Sequence, residues 1–411
     1  MYISSVNPVQ KTYTPGYRRN SLYKGIWSRH WPVFRALYGS RFARRFGGLK
    51  EEKISEVKKL LDCGDFKNGY RKHTCDNCGT VFIVPFTCKS RLCLSCYRKR
   101  LYGWSIHLSR IMITTLNHSH VTFTLPGSVT KILFNNGFDA ESLIKPAAET
   151  YWKAAKKGAK LTGRKWSCGS MATVHKCGNS LNYNPHVHLI GTRELVNAET
   201  GEIITPFMSY KNMGYAWMNA ACALLKKQGM LTADELSRVK QKYKNGFHVY
   251  FQPIAGGNND ILFRTAEYLA DGYFHNSRIR EVNHEKRTVT FRYKKWVERN
   301  TREKMYGVMT LDIHEFMARM LFYFPEKHTK MLRYYGIYAH KAGEKMKSIS
   351  RKTWAAAIEH SFAQNPEICP TCGSAMSVGL IFSDRAEAEM KRLWATHLLY
   401  NRYFRPKENG P

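Results

Sequence analysis

MATVHKCGNSLNYNPHVHLIGT, residues 171–192, is the stretch on which the reading of this chain turns. MATVHKC (171–177) and HVHLIGT (186–192) read as two strands. GNSLNYNP between them supplies the Gly, Asn and Pro of a connecting turn. Side chains two apart on a strand share a face. His186 and His188 therefore offer two imidazoles to one divalent ion, while Val187 points into the packing. An antiparallel pairing of the two strands would bring His175 alongside as a third ligand. A second pair of the same spacing, His118-Ser-His120, opens a strand with no third partner in view. A lone strand histidine is more often a hydrogen-bonded core residue, and that reading is given to His118 and His120.

Outward from this hairpin, HVTFTL (120–125) alternates and is stopped by Pro126-Gly127. Helical patterns follow at 141–160 and 209–244, and FHVYFQ (247–252) is another strand. A short helix is expected near 262–271. RIREV and TVTFRY, split by NHEKR, read as a hairpin. Strands mixed with helices and joined by long connections predict an α+β fold, an antiparallel sheet with helices on one face. The organisation read from this is a basic zinc-binding domain at 1–110, the sheet domain at 118–310, and a helical basic region with a CxxC at 311–411.

Charge narrows the function. The chain has 411 residues with 65 Lys+Arg against 31 Asp+Glu, a net +34. Self-repulsion of that size disfavours compaction unless a polyanion is the partner. The basic residues are interleaved with Tyr, Trp and Phe, a mixture that grips phosphates and stacks bases. A solvated basic surface and a membrane-surface protein are the blander readings, but no amphipathic basic helix is evident. No apolar run approaches a membrane span and the N-terminus lacks a signal-peptide core, so a soluble cytoplasmic protein is expected.

Eleven cysteines in such a chain argue for metal rather than disulfides. Cys75-Asp-Asn-Cys78 and Cys93-Leu-Ser-Cys96 are two CxxC knuckles, and together they predict one structural zinc with four thiolates. Cys63, Cys88 and His73 sit close by, to pack beside that site, exchange into it or build a second one. Lys89, Arg91, Arg98, Lys99 and Arg100 suggest that the module holds DNA. Cys369-Pro-Thr-Cys372 is only half a zinc site. His360 and His397 are conceivable partners, and a non-metal role is equally open. The segment 97–116 reads as an amphipathic helix leaving the cluster.

Several stretches taken together resemble the HUH-type rolling-circle transposases of insertion-sequence family ninety-one. They are CGDFKNGYRKHTCDNCG with CKSRLCLSC, HVTFTLPGSV, VHKCGNSLNYNPHVHLIG, EYLADGYFHNSRI, TVTFRYKKW, and LRYYGIYAHK with CPTCG. They occur in the family's order over about residues 15–380. The resemblance implies an HUH endonuclease-like sheet, with His186 and His188 as metal ligands and His175 and Gly178 as the short motif before them. It places the nucleophilic tyrosine in the segment starting at Tyr268. Members often carry two tyrosines one helical turn apart. Here Tyr268 and Tyr273 are five apart, which rotates Tyr273 away on a regular helix unless Gly272 breaks it. Tyr268 is taken as nucleophile and Tyr273 as a possible second.

The implied chemistry is cleavage and rejoining of single-stranded DNA at element ends, and transfer into target DNA, through a 5′-phosphotyrosine. Mg²⁺ or Mn²⁺ on the three imidazoles would fix the scissile phosphate. Lys294 and Lys295 are guesses for favouring the phenolate. Two other readings stay open: a rolling-circle replication initiator with the same chemistry, and a zinc-dependent DNA-binding protein without catalysis.

Overall fold

The computed structural model describes residues 22–112, 115–161, 165–254, 273–297, 303–326, 329–341, 359 and 365–381. The chain forms two compact units. One is drawn from Met1–Val33, Lys50–Arg100 and Ile349–Pro411, the other from Phe34–Leu49 and Leu101–Ser348. In chain order the elements begin with α1 (Leu22–Arg41), α2 (Ala43–Phe46), α3 (Glu51–Asp62), β1 (Tyr70–Thr74), β2 (Val81–Pro85) and α4 (Leu94–Ile111). Next come β3 (His118–Thr124), α5 (Gly127–Asn135), α6 (Ile144–Gly158), β4 (Trp166–Ser167), β5 (Gly169–Cys177) and β6 (Tyr183–Thr192). There follow β7 (Leu195–Asn197), β8 (Ile203–Ile204), α7 (Tyr210–Lys227), α8 (Ala233–Lys242) and β9 (Val249–Ile254). Last are β10 (Ile279–Asn283), β11 (Thr288–Val297), β12 (Lys304–Asp312), β13 (Arg333–Gly336) and β14 (Ser377–Ile381), with helices at Ile313–Tyr323 and Ile337–Lys341. No described helix is long and apolar enough to cross a membrane. The fold is α+β with antiparallel sheets, as the alternating patterns predict.

The larger unit is built on a five-stranded sheet of order β13-β5-β6-β3-β9, antiparallel throughout. Alternation sorts its side chains. Val121 and Phe123, Ala172 and Val174, and Val187 and Leu189 point to one face, where α5, α6, α7 and α8 cover them with Val129, Leu133, Ala147, Tyr151, Trp217 and Leu236. Gly191 allows the closest approach of α6. A Cβ there would lie 2.3 Å from a Tyr151 ring carbon, and the Tyr151 hydroxyl donates to the Thr192 carbonyl at 2.9 Å. The opposite face carries the histidines. One end of it is closed by Leu108, Ile111, Met112 and Tyr338 packing on Met171, Ile190 and Ile254.

The same unit holds a three-stranded sheet, β10-β11-β12. Phe274, Phe291 and Phe316 meet edge to face at 5.4–5.5 Å between Phe274 and its two partners, fastening helix Ile313–Tyr323 to β11. In the smaller unit the order is β14-β1-β2.

Two expectations are adjusted, and a third falls outside the described residues. The helical stretch at 209–244 is two helices, because Thr232 and Glu235 form a capping box that starts α8 afresh. The region after 310 is not simply helical: β13 and β14 each join a sheet, and strands of four and five residues are too short for periodicity to announce. The helix expected at 262–271 lies outside the described residues.

Candidate metal centres

The β5–β6 hairpin sets the first centre. Its register places His175 opposite His186 and Thr173 opposite His188, while β3 places Thr122 opposite His188 from the other side. Ring centroids lie 5.6 Å apart for His175–His186, 4.4 Å for His175–His188 and 4.8 Å for His186–His188. One nitrogen from each falls within 4.8 Å of the others. His186 Nδ1 is 2.6 Å from the Asn184 carbonyl and donates to it. His188 Nδ1 is engaged at 3.0 Å by His120 Nε2 and at 3.1 Å by Thr122 Oγ1. In both rings Nε2 is left as the ligand atom, the orientation that outer hydrogen bonds impose on metal-binding histidines.

Burial, then its neighbours His175, His186 and His120, hold His188 well below the ordinary imidazole value. Burial also lowers His186 and pushes His120 down to about 4. These rings are therefore neutral near pH 7, with lone pairs free for a cation. Three protein donors leave open positions for oxygen ligands.

Cysteines form two further sets, both in the smaller unit. Cys63, Cys88, Cys93 and Cys96 converge, with sulfurs 3.6 Å apart for Cys63–Cys96 and Cys88–Cys96 and 3.8 Å for Cys93–Cys63. Zinc bound tetrahedrally at about 2.3 Å per sulfur spaces its thiolates about 3.8 Å apart, so the set fits that ion. Cys63 follows α3, Cys88 follows β2, and Cys93 and Cys96 sit at the start of α4, where the helix dipole favours thiolate. Cys75, Cys78, Cys369 and Cys372 form the other set.

The single site expected from Cys75, Cys78, Cys93 and Cys96 is thus corrected to two half-sites in different centres. The reason is the β1–β2 hairpin. Cys75 and Cys78 form its tight turn, whereas Cys63 and Cys88 flank its open end. Five strand residues separate the two ends by roughly 15 Å. Buried His73 lies on β1 and joins neither set.

Of the residues singled out in the sequence, His175, His186 and His188 are brought together. Tyr268, Gly272, His360 and His397 lie outside the described residues. Tyr273 is described, and Phe274 next to it packs on Phe291 and Phe316. Lys294 and Lys295 stand on β11, in the separate three-stranded sheet. Sequence reasoning missed three contributors. His120 holds His188, although it was set aside as a core residue. Arg278 lies with its guanidinium 4.6 Å over Phe274, donates to the Arg292 carbonyl at 3.0 Å, and donates to the Asn179 carbonyl in the β5–β6 turn. Arg319 also donates to that turn, at Leu181, over 3.1 Å. The periodicity of β3 could have put His120 on the imidazole face; nothing local marks Arg278.

A histidine set on an antiparallel sheet, joined in one basic chain to cysteine sets with the spacing of zinc ligands, is the make-up of a metal-binding protein whose charge suits a polyanion. Residues 28–125 match the family described as "Transposase zinc-binding domain" and residues 169–345 the family Y2_Tnp, described as "Putative transposase". The chain is 24% identical over 357 residues to "Transposase for insertion sequence element IS801" of Pseudomonas savastanoi pv. phaseolicola, covering 80% of this chain and 84% of that one. It is 23% identical over 332 residues to "Putative transposase y4qJ" of Sinorhizobium fredii, covering 76% and 80%. Both matched families and both relatives are described as transposases, so the chain is similar to transposases of the IS91 kind over most of its length. No solved structure matches it.

Proposed function

We propose that this transposase cleaves and rejoins single-stranded DNA at element ends by the rolling-circle route of HUH enzymes. Tyr268 serves as nucleophile, Tyr273 as a second, and His175, His186 and His188 hold Mg²⁺ or Mn²⁺. The observation that carries the reading is the convergence of three imidazoles, two of them locked through Nδ1, on one sheet face. A cation held there supplies a Lewis acid for the scissile phosphate. Imidazole donors favour Mn²⁺ over Mg²⁺.

The chain's own residues do the rest. The tyrosine oxygen bonds to phosphorus as the 3′-oxygen leaves, giving a 5′-phosphotyrosine and a free 3′-OH; the phenol proton passes to solvent and the leaving 3′-oxygen takes one from it. The covalent link conserves the phosphodiester energy, so a later 3′-OH can reverse the step without a nucleotide cofactor. Arg278 ties the segment after Tyr273 to the turn between the two histidine strands, which supports a tyrosine working beside that hairpin. The zinc-binding unit, with Cys63, Cys88, Cys93 and Cys96 as its metal set, holds DNA through the basic residues around it.

The test is incubation of the protein with Mn²⁺ and a single strand from an element end. A covalent adduct is expected, mapped by peptide mass to Tyr268 and lost in Tyr268→Phe. An undiminished adduct in that variant moves the nucleophile elsewhere. Strand binding with no adduct under any metal overturns the enzyme reading.

A further inference from the structure

Cys369 and Cys372 lie far beyond the matched zinc-binding domain, which ends at residue 125. They nevertheless face Cys75 and Cys78. Cys75 Sγ is 3.5 Å from Cys372 Sγ, across 297 sequence positions, and Cys78 Sγ is 3.5 Å from Cys369 Sγ. These are close to the spacing of thiolates around one tetrahedral zinc and well beyond the roughly 2.05 Å of a disulfide.

The two segments are built alike. Cys75-Asp-Asn-Cys78-Gly79-Thr80 and Cys369-Pro-Thr-Cys372-Gly373-Ser374 share the order Cys-x-x-Cys-Gly-hydroxyl. In the first, Cys75 N–H donates to the Thr80 carbonyl at 2.9 Å and Gly79 N–H to the Cys75 carbonyl at 2.9 Å. In the second, Cys369 N–H donates to the Ser374 carbonyl at 2.8 Å and Gly373 N–H to the Cys369 carbonyl at 2.9 Å. Gly79 and Gly373 adopt φ of 70° and 74°, left-handed backbone that closes each turn and favours glycine. Thr371 N–H points at Cys369 Sγ at 3.4 Å, a bond that stabilises thiolate. The turns are also bonded to each other, by Asn77 Nδ2 to Ser374 Oγ at 3.1 Å and Thr80 Oγ1 to Thr371 Oγ1 at 3.2 Å. β1 runs into the first turn, β14 runs out of the second, and the strands pair from Tyr70↔Ile381 to Thr74↔Ser377. Two knuckles over a three-stranded sheet is the plan of a zinc ribbon. Cys93-Leu-Ser-Cys96 has no glycine after it and opens a helix instead, so it is a different kind of half-site.

We propose that Cys75, Cys78, Cys369 and Cys372 bind a second structural zinc ion, which makes the C-terminal segment part of the cysteine-rich unit. Residues 101–348, which include every residue assigned to strand cleavage, are then an insertion within a metal-closed module. This rests on the cysteine geometry alone and stands or falls separately from the strand-transfer reading.

Two measurements on the full-length protein test it. Cys372 is exposed, so as a free thiol it would alkylate readily. With zinc bound it is expected to resist iodoacetamide and become reactive once a chelator strips the ion, read by peptide mass. Alkylation of Cys372 in zinc-loaded protein overturns the proposal; so does resistance that persists after chelation, which marks a disulfide. Zinc content is then counted in a His186→Ala/His188→Ala background, so that only sulfur sites contribute. Two ions per chain are expected, falling twofold to one in Cys369→Ser/Cys372→Ser. Cys372→His should keep two, because three cysteines and one histidine still bind zinc. One ion in the background protein, or two in the double serine variant, overturns the proposal.

Discussion

His188 shows how a residue's role is set by what its two ring nitrogens face. His120 and Thr122 occupy Nδ1, so the ligand atom is Nε2 and the ring cannot turn. Replacing His120 with alanine leaves Thr122 as the other contact on Nδ1, and such outer-contact losses typically weaken metal binding by about 10–100-fold. Adduct formation in His120→Ala should therefore need about that much more Mn²⁺ while reaching a similar plateau; an unshifted Mn²⁺ titration would remove His120 from the centre. His118, on the same strand face, does different work. The Tyr338 hydroxyl donates to its Nε2 at 2.6 Å, and burial pushes its value down to about 4. A lowered imidazole value means that the unfolded chain binds the proton first. The stability His118 lends is complete above about pH 6.5 and is lost as pH falls toward 4, up to roughly 3 kcal/mol. Urea unfolding of the metal-free protein between pH 7 and pH 4.5 should show a loss that includes this share, and His118→Gln should remove that share while the depressed His120, His186 and His188 keep the rest. Spacing marks His186 and His188 as a shared face, but the same spacing in His118 and His120 reads as core. It could not tell ligand from support, because that depends on which strand lies next door.

Among elements, the β5–β6 hairpin is the one the site depends on, and it was legible. Alternation in MATVHKC and HVHLIGT, with a Gly-Asn-rich turn between, specifies strand, turn and strand locally. Its surroundings were not legible. The turn is gripped by Arg278 and Arg319 from sequence about a hundred positions or more away. Arg278→Ala should lower the rate of adduct formation about tenfold by loosening the segment after Tyr273, since small misplacement of reacting groups is costly. Mn²⁺ affinity should not change; if affinity falls equally, Arg278 shapes the histidine hairpin itself rather than the tyrosine segment. Gly191 is a second element-level test. An alanine there meets Tyr151 at 2.3 Å, so α6 must shift off β6, at a cost of about 1–3 kcal/mol. Thermal unfolding of Gly191→Ala should move down by several degrees.

Across the whole molecule, the +34 charge acts as a field rather than through any one contact. Binding of single-stranded DNA should weaken steeply with salt, by roughly a few hundredfold or more between 50 and 200 mM if six or more phosphates are neutralised. A salt-independent affinity, measured by fluorescence anisotropy, would contradict a phosphate-dominated grip. The amino-acid order alone determined the α+β class, the histidine hairpin, the presence of cysteine knuckles and the polyanionic partner. Each of these follows from period, composition or spacing over a few residues. Only the tertiary structure decided which cysteines share a centre, and that His120 and Arg278 support the site. Ligation and hydrogen bonding demand atoms within about 4 Å, and a five-residue strand or a pairing across 297 positions decides that distance where no local pattern can.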